Sequence, residues 1–243
     1  MDVDVSMSTA SQLQIPVFPL PDVVLFPGAI LPLRVFESRY LQLVRDVLGG
    51  TAPGIVLPAG RQIGMPQIKP EAVKDIMGSP ALLPIMGVGE IVAQEAQDDG
   101  TWHIALLGKG RYRIKDEIPH SPYRIADAEL LEDQVPRTPE GLAFLARESA
   151  SLLSLGRTLI AHSNVQRPSL DQINRTLQKH KEPGALSDFL GGLFVQDSPT
   201  RQRLLECSDV MIRTQLVKVI LKNLIDESGI EPGDSLPDDI CLN

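Results

Sequence analysis

The feature that most constrains the fold is a change in the spacing of apolar residues at residues 135–139. Before this point, short apolar runs alternate with proline and glycine, which is typical of β-strands and turns. After it, apolar residues recur every three or four positions, as they do on one face of a helix. Thr138 is a favourable N-cap and Pro139 suits the first helical position. We therefore predict an α+β chain with a β-rich lobe over residues 13–134 and a helical lobe over residues 135–228.

The clearest local signal in the β-rich lobe is a hairpin within residues 82–118. Its two arms meet at Asp98-Asp99-Gly100, a sequence that tolerates the positive φ angles of tight turns. On the second arm, inward-facing residues alternate with others, as a half-buried strand requires. These inward-facing residues are Trp102, Ile104 and Leu106. Residues 123–131 indicate a further strand.

Pro32 places the apolar run at residues 29–35 on a sheet edge or at a bulge, because proline cannot donate a ladder hydrogen bond. Residues 37–48 follow with helical spacing, and Gly49-Gly50 provides a C-terminal stop. The pattern favours one helix that closes an end of the β structure.

Residues 54–58 indicate another short strand. Residues 60–80 are rich in glycine, proline and lysine without sustained periodicity, which predicts a loop with one helical turn near Glu71.

The second lobe contains five predicted helices. The first four begin at Pro139, after Ser169, near Ala185 and at Pro199. The fifth has Ser208 as its N-cap and ends before Gly229.

Charge is unevenly distributed along the chain, whose formal net charge is −8. The acidic end repels a phosphate backbone, so nucleic acid is an unfavourable partner. We expect a flexible N-terminus over residues 1–12 and an acidic flexible tail over residues 229–243. The start lacks the basic and apolar regions of a signal peptide, and no apolar run approaches the roughly 20 residues that span a bilayer, which favours a cytoplasmic protein without a membrane partner.

The order and spacing of several stretches agree with those of a known family; they lie at residues 16–28, 31–40, 87–92, 108–114, 121–126, 186–188 and 201–206. Together they resemble the amino-terminal domain of Lon proteases over residues 13–225. The resemblance implies a PUA-like small β barrel with one helix, followed by an α-helical bundle. It also implies a free-standing, non-catalytic module that binds a polypeptide or protein partner, acts as an adaptor and is linked to protein quality control.

Motifs of catalysis and metal binding are absent from the sequence. No G-x-x-x-x-G-K-[ST] loop is present to hold ATP phosphates, and no G-x-S-x-G turn is present to expose a nucleophilic serine. The four histidines are scattered without metal-ligand spacing. We therefore expect no enzyme activity, no cofactor and no metal.

Two groups of residues are candidates for partner contact. Lys109, Arg111, Arg113 and Lys115 alternate along one strand, which predicts a basic strip for acidic polypeptide or, in an RNA-binding alternative, for nucleic acid. The other interpretation of this strip is a solvated face neutralised by carboxylates such as Glu90 and Glu95.

The second group lies where the edge strand meets the helix. Phe36, Arg39 and Tyr40 could line a groove that accepts an extended peptide, whereas Tyr40 also fits the buried stripe of the helix. The sequence leaves the oligomeric state open.

Overall fold

The computed structural model describes residues 13–50, 61–75, 78–163 and 167–229. The chain divides into two compact units between Glu132 and Asp133. The first unit contains β-strands and one α-helix, together with a 3-10 helix over Pro70–Asp75. Its elements are β1 (Leu13–Val17), β2 (Ile30–Val35), α1 (Ser38–Gly49), β3 (Gln62–Met65), β4 (Ile85–Ala96), β5 (Trp102–Ile118) and β6 (Arg124–Leu130).

The strands form one sheet in the order β2-β5-β4-β3-β1-β6, and β6 also pairs with β5. Of these pairs, β1 and β3 are parallel, and the others are antiparallel. The long strand β5 contacts β2, β4 and β6 along its length, so it organises the unit. The predicted hairpin is confirmed, with Gly100 at φ 81° in its turn.

Helix α1 packs its apolar face into the larger of the two core clusters that the described residues of this unit form. Gly50 ends the helix in the left-handed conformation, as predicted. The Tyr123 hydroxyl donates a hydrogen bond of 2.7 Å to Oδ2 of Asp46 at the helix's last turns. The buried residues of α1 are Tyr40, Leu43, Val44 and Val47.

Two glycines allow the segment before β2 to approach the sheet. A Cβ on Gly87 would lie 1.9 Å from the carbonyl oxygen of Leu25, and a Cβ on Gly108 would lie 2.0 Å from that of Phe26. Both obstacles are main-chain atoms, which cannot rotate away. These positions therefore require glycine for close backbone approach.

The prediction of a loop over residues 60–80 is wrong in part, because β3 lies within it. This strand pairs in parallel with β1 at Val17, a distant partner that local periodicity cannot detect. The helical turn predicted near Glu71 is confirmed. The strand predicted at residues 54–58 lies outside the described residues.

The second unit is helical, as predicted. Thr138 caps α2 by accepting a hydrogen bond of 3.1 Å from the Gly141 amide. Ser208 is not the cap of the last helix, since Asp209 fills that role by accepting from the Ile212 amide at 3.0 Å. The helices are α2 (Pro139–Ala161), α3 (Arg167–Lys179), α4 (Pro183–Phe194), α5 (Ser198–Glu206) and α6 (Val210–Ser228).

A fully buried arginine joins α6 to α4 and to the start of the unit. The Nε atom of Arg213 lies 3.1 Å from Oδ1 of Asp188 on α4, an ion pair without aligned hydrogen-bond geometry. Its Nη2 atom donates to Oδ2 of Asp133 at 2.5 Å, and Nη1 donates to the Cys207 carbonyl. A buried guanidinium requires such partners, because an unpaired charge in the interior is strongly unfavourable.

Candidate functional site

An exposed surface runs along β2 in the first unit. Because successive side chains of a strand point to opposite faces, every second residue of β2 faces solvent while the intervening ones pack inward. Ile30 is 61% exposed and Phe36, directly after the strand, is 66% exposed. We call this the β2 surface. It consists of Ile30, Pro32, Arg34 and Phe36.

Pro32 and Arg34 lie between the two large apolar side chains of the β2 surface, and they determine its hydrogen-bonding capacity and its charge there. In the described part of the chain β2 pairs only with β5, so its other edge is open, which confirms the edge position predicted from Pro32. Proline has no N–H, so this edge offers fewer donors to an added strand. Arg34 is held by an ion pair of 2.9 Å to Asp99 in the hairpin turn.

The strand register extends the β2 surface onto β5. Residues directly opposite in antiparallel strands share a face, so Leu107 lies beside Ile30 and Ala105 beside Pro32. Both β5 residues are half-buried. The apolar part of the surface on these two strands therefore ends where Arg34 lies opposite His103 in the register.

The three residues predicted at the strand–helix junction have different environments. Phe36 is exposed, whereas Tyr40 is only 5% exposed and stacks on Phe18 with ring centroids 4.0 Å apart. Arg39 has an exposure between those of Phe36 and Tyr40. Its guanidinium lies 4.6 Å from the centroid of the Tyr40 ring and forms an ion pair of 2.9 Å with Glu37. Burial raises the pKa of the Tyr40 phenol. Of the three, Phe36 has the most surface available to a partner.

The basic strip is interrupted in the structure. Arg111 is only 3% exposed, so the prediction that all four cations project together into solvent is wrong at this position. The physical reason is its pairing with Gly87, on a face that the main chain at Leu25 covers. Irregular registers next to Lys109 and Lys115 also break the strict alternation on which the prediction rested.

The exposed cations of the strip are paired with carboxylates. Lys109 lies 3.3 Å from Glu90, as the second interpretation of the strip expected. Arg113 and Lys115 share Glu129, at 3.8 Å and 2.5 Å. Glu95 lies opposite His103 and does not take part. Such surface pairs add little stability, but they lower the positive potential available to a phosphate backbone.

Sequence analysis missed Ile30 as a surface residue. The signal is that Ile30, Pro32, Arg34 and Phe36 recur with a period of two, within a run whose other residues are apolar. Among the described residues, no group of three or more His, Cys, Asp or Glu is arranged to hold a metal ion. None of the described helices combines the length and apolarity needed to cross a bilayer.

Comparison with known proteins identifies the family. The model of the ATP-dependent protease La (LON) substrate-binding domain matches residues 14–223. The chain belongs to this family. Lon protease 2 of Sorangium cellulosum is 26% identical over 214 residues, and the Lon protease of Dictyoglomus thermophilum is 29% identical over 207. The matches cover 84% and 85% of this chain, respectively. The chain spans 24% of each of these relatives.

Solved structures support the Lon-type fold. The N-terminal domain of a Mycobacterium avium complex Lon protease superposes with a TM-score of 0.61 at 16% identity, covering 86% of this chain and 98% of that one. A Lon N-terminal domain protein from Xanthomonas campestris gives a TM-score of 0.53 at 23% identity, covering 85% and 97%. At these identities the likeness concerns the fold alone, so the Lon domain's binding residues must be inferred from its own surface.

Proposed function

We propose that this Lon substrate-binding domain is a non-catalytic cytoplasmic module that holds polypeptide segments on the β2 surface. The observation that carries the proposal is the exposure of two large apolar side chains of the β2 surface, Phe36 at 66% and Ile30 at 61%. Aromatic and branched aliphatic residues are costly to leave in water, and an adjoining apolar surface often marks a place where proteins bind.

The gain from covering this surface is moderate. Full burial of an apolar side chain is worth roughly 1.5–3 kcal/mol, so covering the exposed two-thirds of Phe36 contributes about 1–2 kcal/mol. Pro32 limits main-chain pairing at the strand edge, which favours contacts through side chains. Such contacts recognise apolar character rather than one sequence.

This mode of recognition supports an adaptor role linked to protein quality control. Folded proteins bury most of their large apolar residues, whereas unfolded chains expose them. A moderately binding apolar surface would therefore select unfolded segments and release them to a partner. We also infer a PUA-like barrel for the first unit, which the return of hydrogen bonding from β6 to β5 supports.

The RNA-binding alternative has less support. The described cations of the strip are either buried, as at Arg111, or paired with Glu90 and Glu129. Counterion release requires cations that are free to meet phosphates. A weak affinity for RNA without a steep dependence on salt is therefore expected.

The test uses casein that has been reduced, carboxymethylated and labelled with a fluorophore. Its binding to the protein is measured by fluorescence anisotropy. The double variant Ile30→Ser/Phe36→Ser is expected to bind at least tenfold more weakly, since both side chains of the β2 surface lose their apolar area. The matched control is Leu130→Ser, which removes a side chain of 48% exposure from β6, a strand that does not pair with β2.

Folding is checked by circular dichroism and by the fluorescence of Trp102, the chain's single tryptophan. Equal casein affinity for the wild type and the folded double variant would contradict the proposed site. A tenfold loss that Leu130→Ser reproduces would contradict its location.

A further inference from the structure

The helical unit contains a cleft between α2, α3 and α4 that the proposed function does not use. Its volume is about 810 Å³ and it is open to solvent. Clefts of 300–1,000 Å³ are typical of ligand sites. Because the cleft is open, a chain bound in it can extend beyond its ends.

The apolar part of the cleft lining, called the floor below, includes two small side chains. Ala146 and Ala150 lie one turn apart on α2, and Leu153 continues the same face. Leu177 of α3 and Leu186 of α4, each 3% exposed, complete this floor. This floor can receive an aliphatic side chain.

The rim of the cleft is basic. Arg157 and Lys181 line it, both are exposed, and neither side chain forms an ion pair within the described part of the chain. By contrast, the exposed Lys109 and the partly buried Lys218 are paired with Glu90 and Glu148. No described acidic residue lines the cleft. In a chain with a net charge of −8, this is a local site that attracts anions.

His180 adds a flat surface at the same rim. Its ring stacks on Phe189 with centroids 5.1 Å apart. Burial lowers the pKa of the imidazole below its ordinary value of 6.5, so at neutral pH most of the rings are uncharged. The two permanent cations are therefore Arg157 and Lys181, and the remaining lining favours apolar contact.

We propose that this cleft binds polypeptide segments in which an aliphatic residue lies next to an acidic side chain. The aliphatic residue occupies the floor at Ala150, and the carboxylate pairs with Arg157 and Lys181. The proposal deepens the proposed function, because it gives the domain a second, charge-selective contact with its polypeptide substrates.

The probe is a fluorescein-labelled hexapeptide of alternating leucine and aspartate, with capped ends. The first comparison peptide has asparagine for aspartate, and the second has serine for leucine. We expect the parent peptide to bind at least tenfold more tightly than either, and its affinity to fall as salt is raised. Equal binding of the asparagine peptide would overturn the charge pairing, and equal binding of the serine peptide would overturn the apolar anchor.

Two kinds of variant locate the site, and both change exposed side chains, so that folding is preserved. Arg157→Glu/Lys181→Glu reverses the rim charge, and Ala150→Phe fills the floor. Each is expected to reduce parent-peptide affinity at least tenfold. The matched control is Arg147→Glu, an exposed arginine of α2 that does not line the cleft.

The same variants separate this proposal from the β2 surface. Ile30→Ser/Phe36→Ser should leave binding of the acidic hexapeptide unchanged, even if casein binding is lost. Parent-peptide binding that survives both cleft variants, or that Arg147→Glu reduces equally, would overturn the proposal. Absence of any hexapeptide binding would also overturn it.

Discussion

Replacement of Arg213 by methionine is expected to destabilise the helical unit strongly. The Arg213 side chain is 0% exposed, and its partner Asp188 is only 2% exposed. With the guanidinium removed, the Asp188 carboxylate stays buried near a methionine of similar length. The buried anion then loses the guanidinium that lies 3.1 Å from it, and the Cys207 carbonyl loses its arginine donor.

The magnitude follows from the distances. At the 3.1 Å between Nε and Oδ1, and with an effective dielectric constant near 20, the attraction is about 5 kcal/mol. Breaking a buried pair by removing one partner costs about 3–5 kcal/mol. We therefore expect Arg213→Met to lower the free energy of unfolding by about 3–5 kcal/mol.

The assay is urea unfolding followed by circular dichroism at 222 nm, which reports the helices. Trp102 fluorescence, recorded in parallel, reports the β-rich unit. The control is Arg213→Met/Asp188→Leu, which removes both buried charges and is expected to recover much of the lost stability. A loss below about 1 kcal/mol for Arg213→Met, the range of surface ion pairs, would refute the reasoning.

Three further predictions concern the first unit and a helix cap. Gly87→Ala should lower the free energy of unfolding by about 3 kcal/mol or more, because the added Cβ would lie 1.9 Å from the Leu25 carbonyl oxygen. Gly50→Ala should lower it by about 1 kcal/mol, because its surroundings are open and only its φ of 71° is unfavourable for alanine. Urea unfolding midpoints compare the two variants, and equal losses of stability would contradict the prediction. Thr138→Ala should cost about 1 kcal/mol by removing the cap of α2, and a midpoint equal to that of the wild type would contradict this. Burial raises the pKa values of all three tyrosines, Tyr40, Tyr112 and Tyr123, so absorbance at 295 nm at pH 10 should show less tyrosinate in the folded protein than in the urea-unfolded protein. A pKa that is raised in the folded state means that folding stabilises the neutral phenol. This contribution to the free energy of unfolding is complete below pH 10 and is lost as the pH rises through the pKa values of the folded protein. Titration of the tyrosines of the folded protein near pH 10 would refute the prediction.

Features that depend on short-range chemistry could be predicted from the sequence. The hairpin turn at Asp98-Asp99-Gly100, the cap at Thr138 and the glycine stop of α1 each depend on a few adjacent residues. The substrate-binding family could also be recognised, because its stretches retain their order along the chain.

Features that depend on distant partners could not be predicted. Strand β3 is too short to show a clear alternation of its own, and its sequence resembles a loop. It forms a strand because it pairs with β1 and β4. Arg111 is buried because irregular registers and the main chain at Leu25 change what its face contacts. The helical spacing around Arg213 does not predict its burial, because its partners Asp188 and Asp133 are distant in the sequence and only the fold brings them near.

The most direct test of the central claim is a two-dimensional ¹H–¹⁵N NMR titration of the protein with an unstructured apolar peptide that has no acidic residues. The account predicts the largest shift changes at the amides of Ile30, Arg34 and Phe36, with the Leu130 amide unchanged. Saturable shift changes confined to other surfaces, with the β2 amides unaffected, would contradict the claim that the β2 surface holds polypeptide segments.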